Sequence, residues 1–328
     1  MKQTRRWRTA MMVMAMLGLT GLFIVSFAAM MAELVAAGET SPAMKGGHTS
    51  TVAQTDRLTS TTPLTAMLTS TPTLQMLIPL YSYPNWYNPA DYIWDDVAAA
   101  NSQVSITAII NPNNGPGSCP PNDDYLHGLS DLRNAGVMIV GYVYTSYGAR
   151  PLEDAKADVD LYDQCFAIDG IFFDETASDV VYLTYYKELY DYVKMKSNLY
   201  KVILNPGTHI DEGYISQPAS DIAVISEGYS CDWPPYQPDS YVTDGTYPAD
   251  RFAVLIHSVP SVSIMQAHIK LAIARNIGYV YVTDDGPPNP WDSLPSFWQA
   301  EISYLQSPDM LTATKPVCLY LPFILQNP

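Results

Sequence analysis

Three apolar runs in this chain end in acids. DGIFFDE (169–175) closes on Asp174 and Glu175, IAVISE (222–227) on Glu227, and YVYVTDD (279–285) on Asp284 and Asp285. A carboxylate at the end of an apolar run loses solvation, so it needs a partner or a task. Basic partners are scarce nearby, Arg150 being the main one. Two carboxyls roughly 5–10 Å apart suit glycoside cleavage: one protonates the leaving oxygen while the other attacks or activates water. Burial and a like-charged neighbour raise the pKa of one, so that it serves as the acid. We therefore take Asp174, Glu175 and Glu227 as candidate catalytic residues. The structural alternative is that such acids cap helices or pair with arginine.

Side chains alternate along a strand, so Asp174 and Glu175 are expected to point opposite ways while the strand persists. Other apolar runs end at Tyr81, Asn111, Tyr144-Thr145, Asn205 and His257, and no Ser-His-Asp set emerges. His257 alone reads first as structural. The loops YSYPNWY (81–87) and GYSCDWPPY (228–236) are crowded with aromatics. Such rings stack on the apolar faces of sugars while their polar ends meet hydroxyls. Tyr81, Tyr83, Tyr144 and Trp233 are thus candidate substrate-binding residues, with the loop rings expected to be exposed. Asn111 and Asn205 join them as partners for hydroxyl or acetamido groups. Asp284 and Asp285 form either a turn or a ligand-binding rim. The histidines are scattered, with no ligand-like neighbour at i+4, so no metal or cofactor is expected. A Ca²⁺ or Mg²⁺ site at the three carboxylates is the lesser alternative.

These residues need a frame. Eight apolar runs recur: 75–81, 105–111, 138–145, 168–174, 201–205, 222–227, 252–257 and 279–285. Most are continuously apolar, as strands covered on both faces are. Between them lie helical spacings, such as Leu152, Ala155, Val159, Tyr162 and Phe166, or Leu183, Tyr186, Tyr190 and Val193. The last predicted helix runs over 294–307. Pro151 is expected at a first helical position and Ser178-Asp179 at a cap. Residues 229–250 read as a long loop with a weak helix. Eight β-then-α units predict a (β/α)₈ TIM barrel as a single α/β domain, with the site at the carboxyl ends of the strands. An open doubly wound sheet fits less well, as no GxGxxG follows the first strand.

The barrel is expected over 75–308. Residues 1–37 carry Lys2, Arg5, Arg6 and Arg8, then an apolar run from Ala10 to Met31 and a small-residue stretch at 35–37. This reads as a signal peptide, with an uncleaved membrane anchor as the rival. Either one exports the chain, making it secreted or extracytoplasmic. Residues 38–74 form a Thr/Ser/Pro-rich linker, and 309–328 a tail of undecided role. Without residues 1–37 the chain keeps 13 of its 17 Lys/Arg and 32 of its 33 Asp/Glu, a formal charge of −19. That balance disfavours nucleic acid and suits cationic ligands. The cysteines are Cys119, Cys165, Cys231 and Cys318. Without CxxC spacing they point away from zinc, and export allows two disulfides in any of three pairings.

The segments IPLYSYP, IINPNNGPG, AGVMIVGYVYTSYGARP, IDGIFFDE, VILNPGT and YVTDD closely resemble the spherulation-specific family 4, or spherulin 4-like, proteins. The resemblance covers residues 76–300. It implies a (β/α)₈ barrel and an exported glycoside hydrolase cutting α-1,4-linked N-acetylgalactosamine in galactosaminogalactan, a biofilm polysaccharide. It also implies a site made of an Asp-Glu pair ending strand four and a Glu ending strand six, here Asp174, Glu175 and Glu227. Partly deacetylated galactosamine is cationic, which suits the acidic chain.

Two mechanisms fit these residues. In a retaining reaction Asp174 is the nucleophile, Glu227 the acid/base and Glu175 a support. In a substrate-assisted reaction the sugar acetamido attacks, Asp174 orients it and Glu175 is the acid. The main non-enzyme reading is a carbohydrate-binding or surface-coat protein on the same barrel. The expected partner throughout is a polysaccharide, with membrane contact only through the N-terminal segment. The sequence carries no signal for oligomeric state.

Overall fold

The computed structural model of the protein describes residues 74–307. The readings of the N-terminal segment, of the linker up to residue 73 and of the tail lie outside the described residues. Among the described residues, eight strands close into one parallel barrel in sequence order. They are β1 (Gln75–Leu80), β2 (Ile106–Ile110), β3 (Met138–Tyr144), β4 (Gly170–Asp174), β5 (Lys201–Leu204), β6 (Ile222–Tyr229), β7 (Phe252–His257) and β8 (Tyr279–Val282). Each strand coincides with one of the eight apolar runs. The pattern was continuous rather than alternating because both faces are covered: β2 and β7 are buried at every position. The predicted (β/α)₈ fold is the observed one.

The helices surround this barrel. They are α1 (Ile93–Ala100), α2 (Asp123–Asn134), α3 (Leu152–Cys165), α4 (Leu183–Lys194), α5 (Gly213–Ser216), α6 (Ser240–Thr243), α7 (Val262–Ala274) and α8 (Trp298–Leu305). Ala155, Val159 and Tyr162 give α3 its buried stripe, at the spacing read from sequence. Asn122 caps α2 by accepting from the Tyr125 N–H. Two expected helix starts need correction. Pro151 is the residue before α3, not its first turn. The last helix begins at Trp298, not 294, because Asp284 takes the N–H and the hydroxyl of Ser296 and keeps the chain before it in a loop.

The amino end of the barrel is locked by polar groups. The Asp169 carboxylate accepts from the Ile139 N–H, and its carbonyl accepts from the N–H groups of Tyr200 and Lys201. Gly170 follows because nothing larger fits: a Cβ there would lie 2.1 Å from the Lys201 carbonyl oxygen. The β8–β1 seam is short, with only Gln75 and Met76 in register with Tyr279 and Val280. Beyond it, the fully buried Glu301 of α8 accepts the Val282 N–H. Burial pushes its carboxyl well above the usual range. Cys119 and Cys165 form a disulfide, one of the pairings the sequence allowed, and it fastens the β2–α2 loop to the end of α3. Cys231 is a free, exposed thiol.

Candidate active site

Four strand ends converge at the barrel mouth. Tyr144 of β3 is in register with Asp174 of β4. The next residue after β5, Asn205, donates its backbone N–H to the Phe173 carbonyl and so stands beside Asp174. In β6 a register shift between Val224 and Ser226 sets Glu227 opposite Leu255.

The side chains complete a bridge. Asn205 Nδ2 donates to Asp174 Oδ1 at 2.8 Å and to Glu227 Oε2 at 2.5 Å. The two oxygens are therefore separated by at most the sum of those lengths, about 5.3 Å. Both hydrogens of the amide are spent on carboxylates. Its Oδ1 is buried and without a partner, so the two acids alone fix which way the amide faces. Asn205 is thus placed to organise the pair rather than to donate to a ligand.

Glu227 retains some exposure as a residue, yet its carboxyl lies deep in the mouth. Desolvation first, and the charge of Asp174 second, push it up to about 7. Hydrogen bonds from Asn205 and from the Trp291 indole act in the opposite direction. The Tyr142 hydroxyl is directed at Asp174, and burial with that contact carries the phenol far above its ordinary range. Tyr81 is the next neighbour. Its ring is edge-on to Tyr142 at 5.9 Å, and its backbone N–H donates to the Trp291 carbonyl. Burial and the charges of Asp174 and Glu227 keep its hydroxyl protonated.

Glu175 departs from the simple alternation. β4 ends at Asp174, and Glu175 has a left-handed backbone, with φ +50°. Its carbonyl accepts from the Tyr147 N–H at 2.6 Å and the Thr145 hydroxyl at 2.8 Å. Ser146 and Tyr147 are also left-handed, with φ +47° and +54°. Left-handed non-glycine residues of this kind cluster at functional sites. The Glu175 side chain is half-buried and its charge is felt by Tyr142 and Tyr186.

Of the remaining sequence candidates, Tyr144 stands beside Asp174 in register, and the others are engaged elsewhere. Tyr144 is half-buried under Arg150, whose guanidinium stands 4.0 Å over its ring. Arg150 pairs with Asp158 at 2.7 Å. Tyr83 sits on the outer rim, its hydroxyl donating to Asp124. The Asn111 side-chain oxygen accepts the Gly115 N–H and so folds its own loop. Asp285 accepts from the Ser293 hydroxyl, and Asp284 from Ser296, so both fasten the β8–α8 loop. Trp233 requires a correction: it is 1% exposed rather than presented to solvent. Arg275 lies 4.4 Å over its ring, and its indole donates to the His268 carbonyl. His257 is buried between Tyr229 and Trp291, and burial holds its pKa down.

Two members of the cluster were not found from sequence. Tyr142 lies two residues before Tyr144, on the same strand face, so the period of two would have supplied it. Trp291 stands in the loop GPPNPWD, an aromatic in a Pro- and Asn-rich setting like those already singled out. Among the described residues no group of His, Cys, Asp and Glu has the geometry to hold a metal ion.

Comparison with known proteins adds three findings. The sequence model of spherulation-specific family 4 matches residues 75–305. Spherulin-4 of Physarum polycephalum is 37% identical over 224 residues, which is 66% of this chain. The chain spans 65% of the length of that relative. Among solved structures, Aspergillus clavatus Sph3 in complex with GalNAc superposes with a TM-score of 0.62 at 26% identity, covering 72% of this chain and 98% of that one.

Proposed function

We propose a function from one premise: the chain belongs to the spherulation-specific family 4. In our reading it is an exported glycoside hydrolase that cleaves an α-linked polysaccharide containing N-acetylgalactosamine and galactosamine, of the galactosaminogalactan kind. The observation that carries the reading is the Asp174–Asn205–Glu227 bridge. GalNAc bound to a similar barrel supports the choice of sugar. The Cys119–Cys165 disulfide supports an oxidising, extracytoplasmic location.

The two bridged oxygens lie no more than about 5.3 Å apart, a spacing that accommodates the roughly 5–5.5 Å carboxyl separation of retaining enzymes, and we read the pair in that scheme. Asp174 attacks the anomeric carbon while Glu227, protonated near neutral pH, gives its proton to the departing glycosidic oxygen. A glycosyl ester on Asp174 results. Glu227 then takes a proton from water, whose oxygen attacks the same carbon and releases Asp174. Asn205 holds both groups at the required spacing, and Tyr142 steadies Asp174. Glu175, turned by its own backbone, lies outside the Asn205 bridge. This is a further reason to favour Asp174 and Glu227 over an Asp174/Glu175 substrate-assisted pair.

The test is reducing-end release by the full chain from galactosaminogalactan and its deacetylated forms. Asp174→Asn and Glu227→Gln should each lower the rate by at least about 10²-fold. Binding of the polymer without release of reducing ends would refute hydrolysis and leave a carbohydrate-binding barrel.

A further inference from the structure

A second cluster of aromatic side chains stands on the rim, away from the carboxylates. Tyr83 is 45%, Trp86 44% and Tyr87 65% exposed, all in the β1–α1 loop. Exposed rings are commonplace, but these are held. One carboxylate, Asp124 at the start of α2, accepts from the Tyr83 hydroxyl at 2.6 Å and from the Trp86 indole N–H at 3.0 Å. Asn122 donates to the same Tyr83 hydroxyl. One face of Trp86 stacks on His127 at 4.5 Å and 21°, and the residue as a whole remains 44% exposed. Tyr87 stands edge-on to Trp86 at 6.2 Å.

The loop itself is seated on α2 by close packing. A Cβ at Gly128 would lie 2.6 Å from the Trp94 ring and 2.9 Å from Pro84, so only glycine lets the loop approach. Packing alone would bury these rings. Here the polar edges of Tyr83 and Trp86 are tied down while all three rings stay exposed, the arrangement that suits stacking on a sugar ring at little entropic cost.

We infer that Trp86 and Tyr87, backed by Tyr83, form a distal subsite for a polysaccharide chain that passes through the carboxylate site. The inference rests on the hydrolase reading above. Continuity with the site argues for this occupant: Tyr81 lies beside Asp174 and Glu227, and Tyr83 follows two residues later, at most about 7 Å away. Charge argues for it too. Asp124 holds the rings, and Asp95 and Asp131 lie about His127 beneath them, a setting that favours sugars bearing ammonium groups.

The experiment is equilibrium binding of the full chain, carrying Glu227→Gln to prevent cutting, to partly deacetylated galactosaminogalactan and to GalNAc. Adding Trp86→Ala or Tyr87→Ala should weaken polymer binding about three- to tenfold, and more than it weakens GalNAc binding. Trp86→Phe should recover part of the loss. Tyr200→Ala, which removes an exposed ring from the amino end of the barrel, should change neither. Equal polymer affinity with and without Trp86, or an equal loss from Tyr200→Ala, overturns the subsite. Failure of the parent to bind either probe instead overturns the hydrolase reading on which it depends.

Discussion

The charge of Asp174 acts on Glu227 across no more than about 5.3 Å and opposes its ionisation. With Glu227 near 7, the basic limb of kcat/KM should fall through about the same pH, because the acid must be protonated to donate. Trp291→Phe removes a hydrogen bond that favours the charged form, so this limb should move to higher pH. A pH–rate profile of the two proteins checks both statements. Asp174→Asn should lower the Glu227 midpoint, read by NMR of the labelled carboxyl.

The same group sets a pH dependence of stability. Glu227 has an ordinary value of 4.5 in the unfolded chain and about 7 when folded. Between these values the folded state binds more protons, so stability falls as pH rises. The fall is on the order of 3 kcal/mol and is complete above pH 7. Glu227→Gln removes it. The variant should melt higher than the parent at pH 8, with the gain vanishing by pH 4, as measured by thermal unfolding across that range. An equal shift at both pH values would refute the assignment of this cost to Glu227.

Gly207 supports Glu227 from behind. It accepts the Glu227 N–H and donates to the Val224 carbonyl, with φ +63°. An added Cβ would lie 3.4 Å from Glu227 Cβ. Gly207→Ala should cost about 1–2 kcal/mol from the left-handed backbone. It should also lower kcat more than it raises KM, because it displaces the acid rather than the sugar. Urea unfolding together with steady-state kinetics tests this.

Arg275 reaches Trp233 from α7's end, donating to the carbonyls of Trp233 and Pro234 at 2.7 and 2.9 Å. Arg275→Ala leaves two carbonyls without that donor and uncovers the indole. A loss of about 2–4 kcal/mol and a red-shifted tryptophan emission are expected. An unchanged spectrum would mean that Trp233 does not depend on that cover.

Much of this was legible in sequence because it is local. Continuous apolar runs located all eight strands, and their polar ends located Asp174, Asn205 and Glu227. What escaped depends on residues distant in the chain. Trp233 read as exposed because Arg275, which covers it, lies 42 positions later. Trp291 meets Glu227 only after a loop folds back across the mouth. The start of α8 was misplaced because side-chain bonds from Asp284, rather than helix propensity, hold residues up to Ser296 in a loop. Asn205 was read as a sugar ligand; its place between two acids depends on a register that composition does not reveal.

Asp169 and Asp174 stand at opposite ends of one strand, about 16 Å apart at the usual rise. Asp169 knits the backbone of β3, β4 and β5 together, while Asp174 faces the mouth. The protein thus has a tied floor and an open ceiling. An engineer who randomised the loop from Ser146 to Arg150, or from Tyr83 to Tyr87, would leave every strand knot at the floor intact. Selection for a new sugar could then proceed on the upper loops while the floor carries the cost of folding.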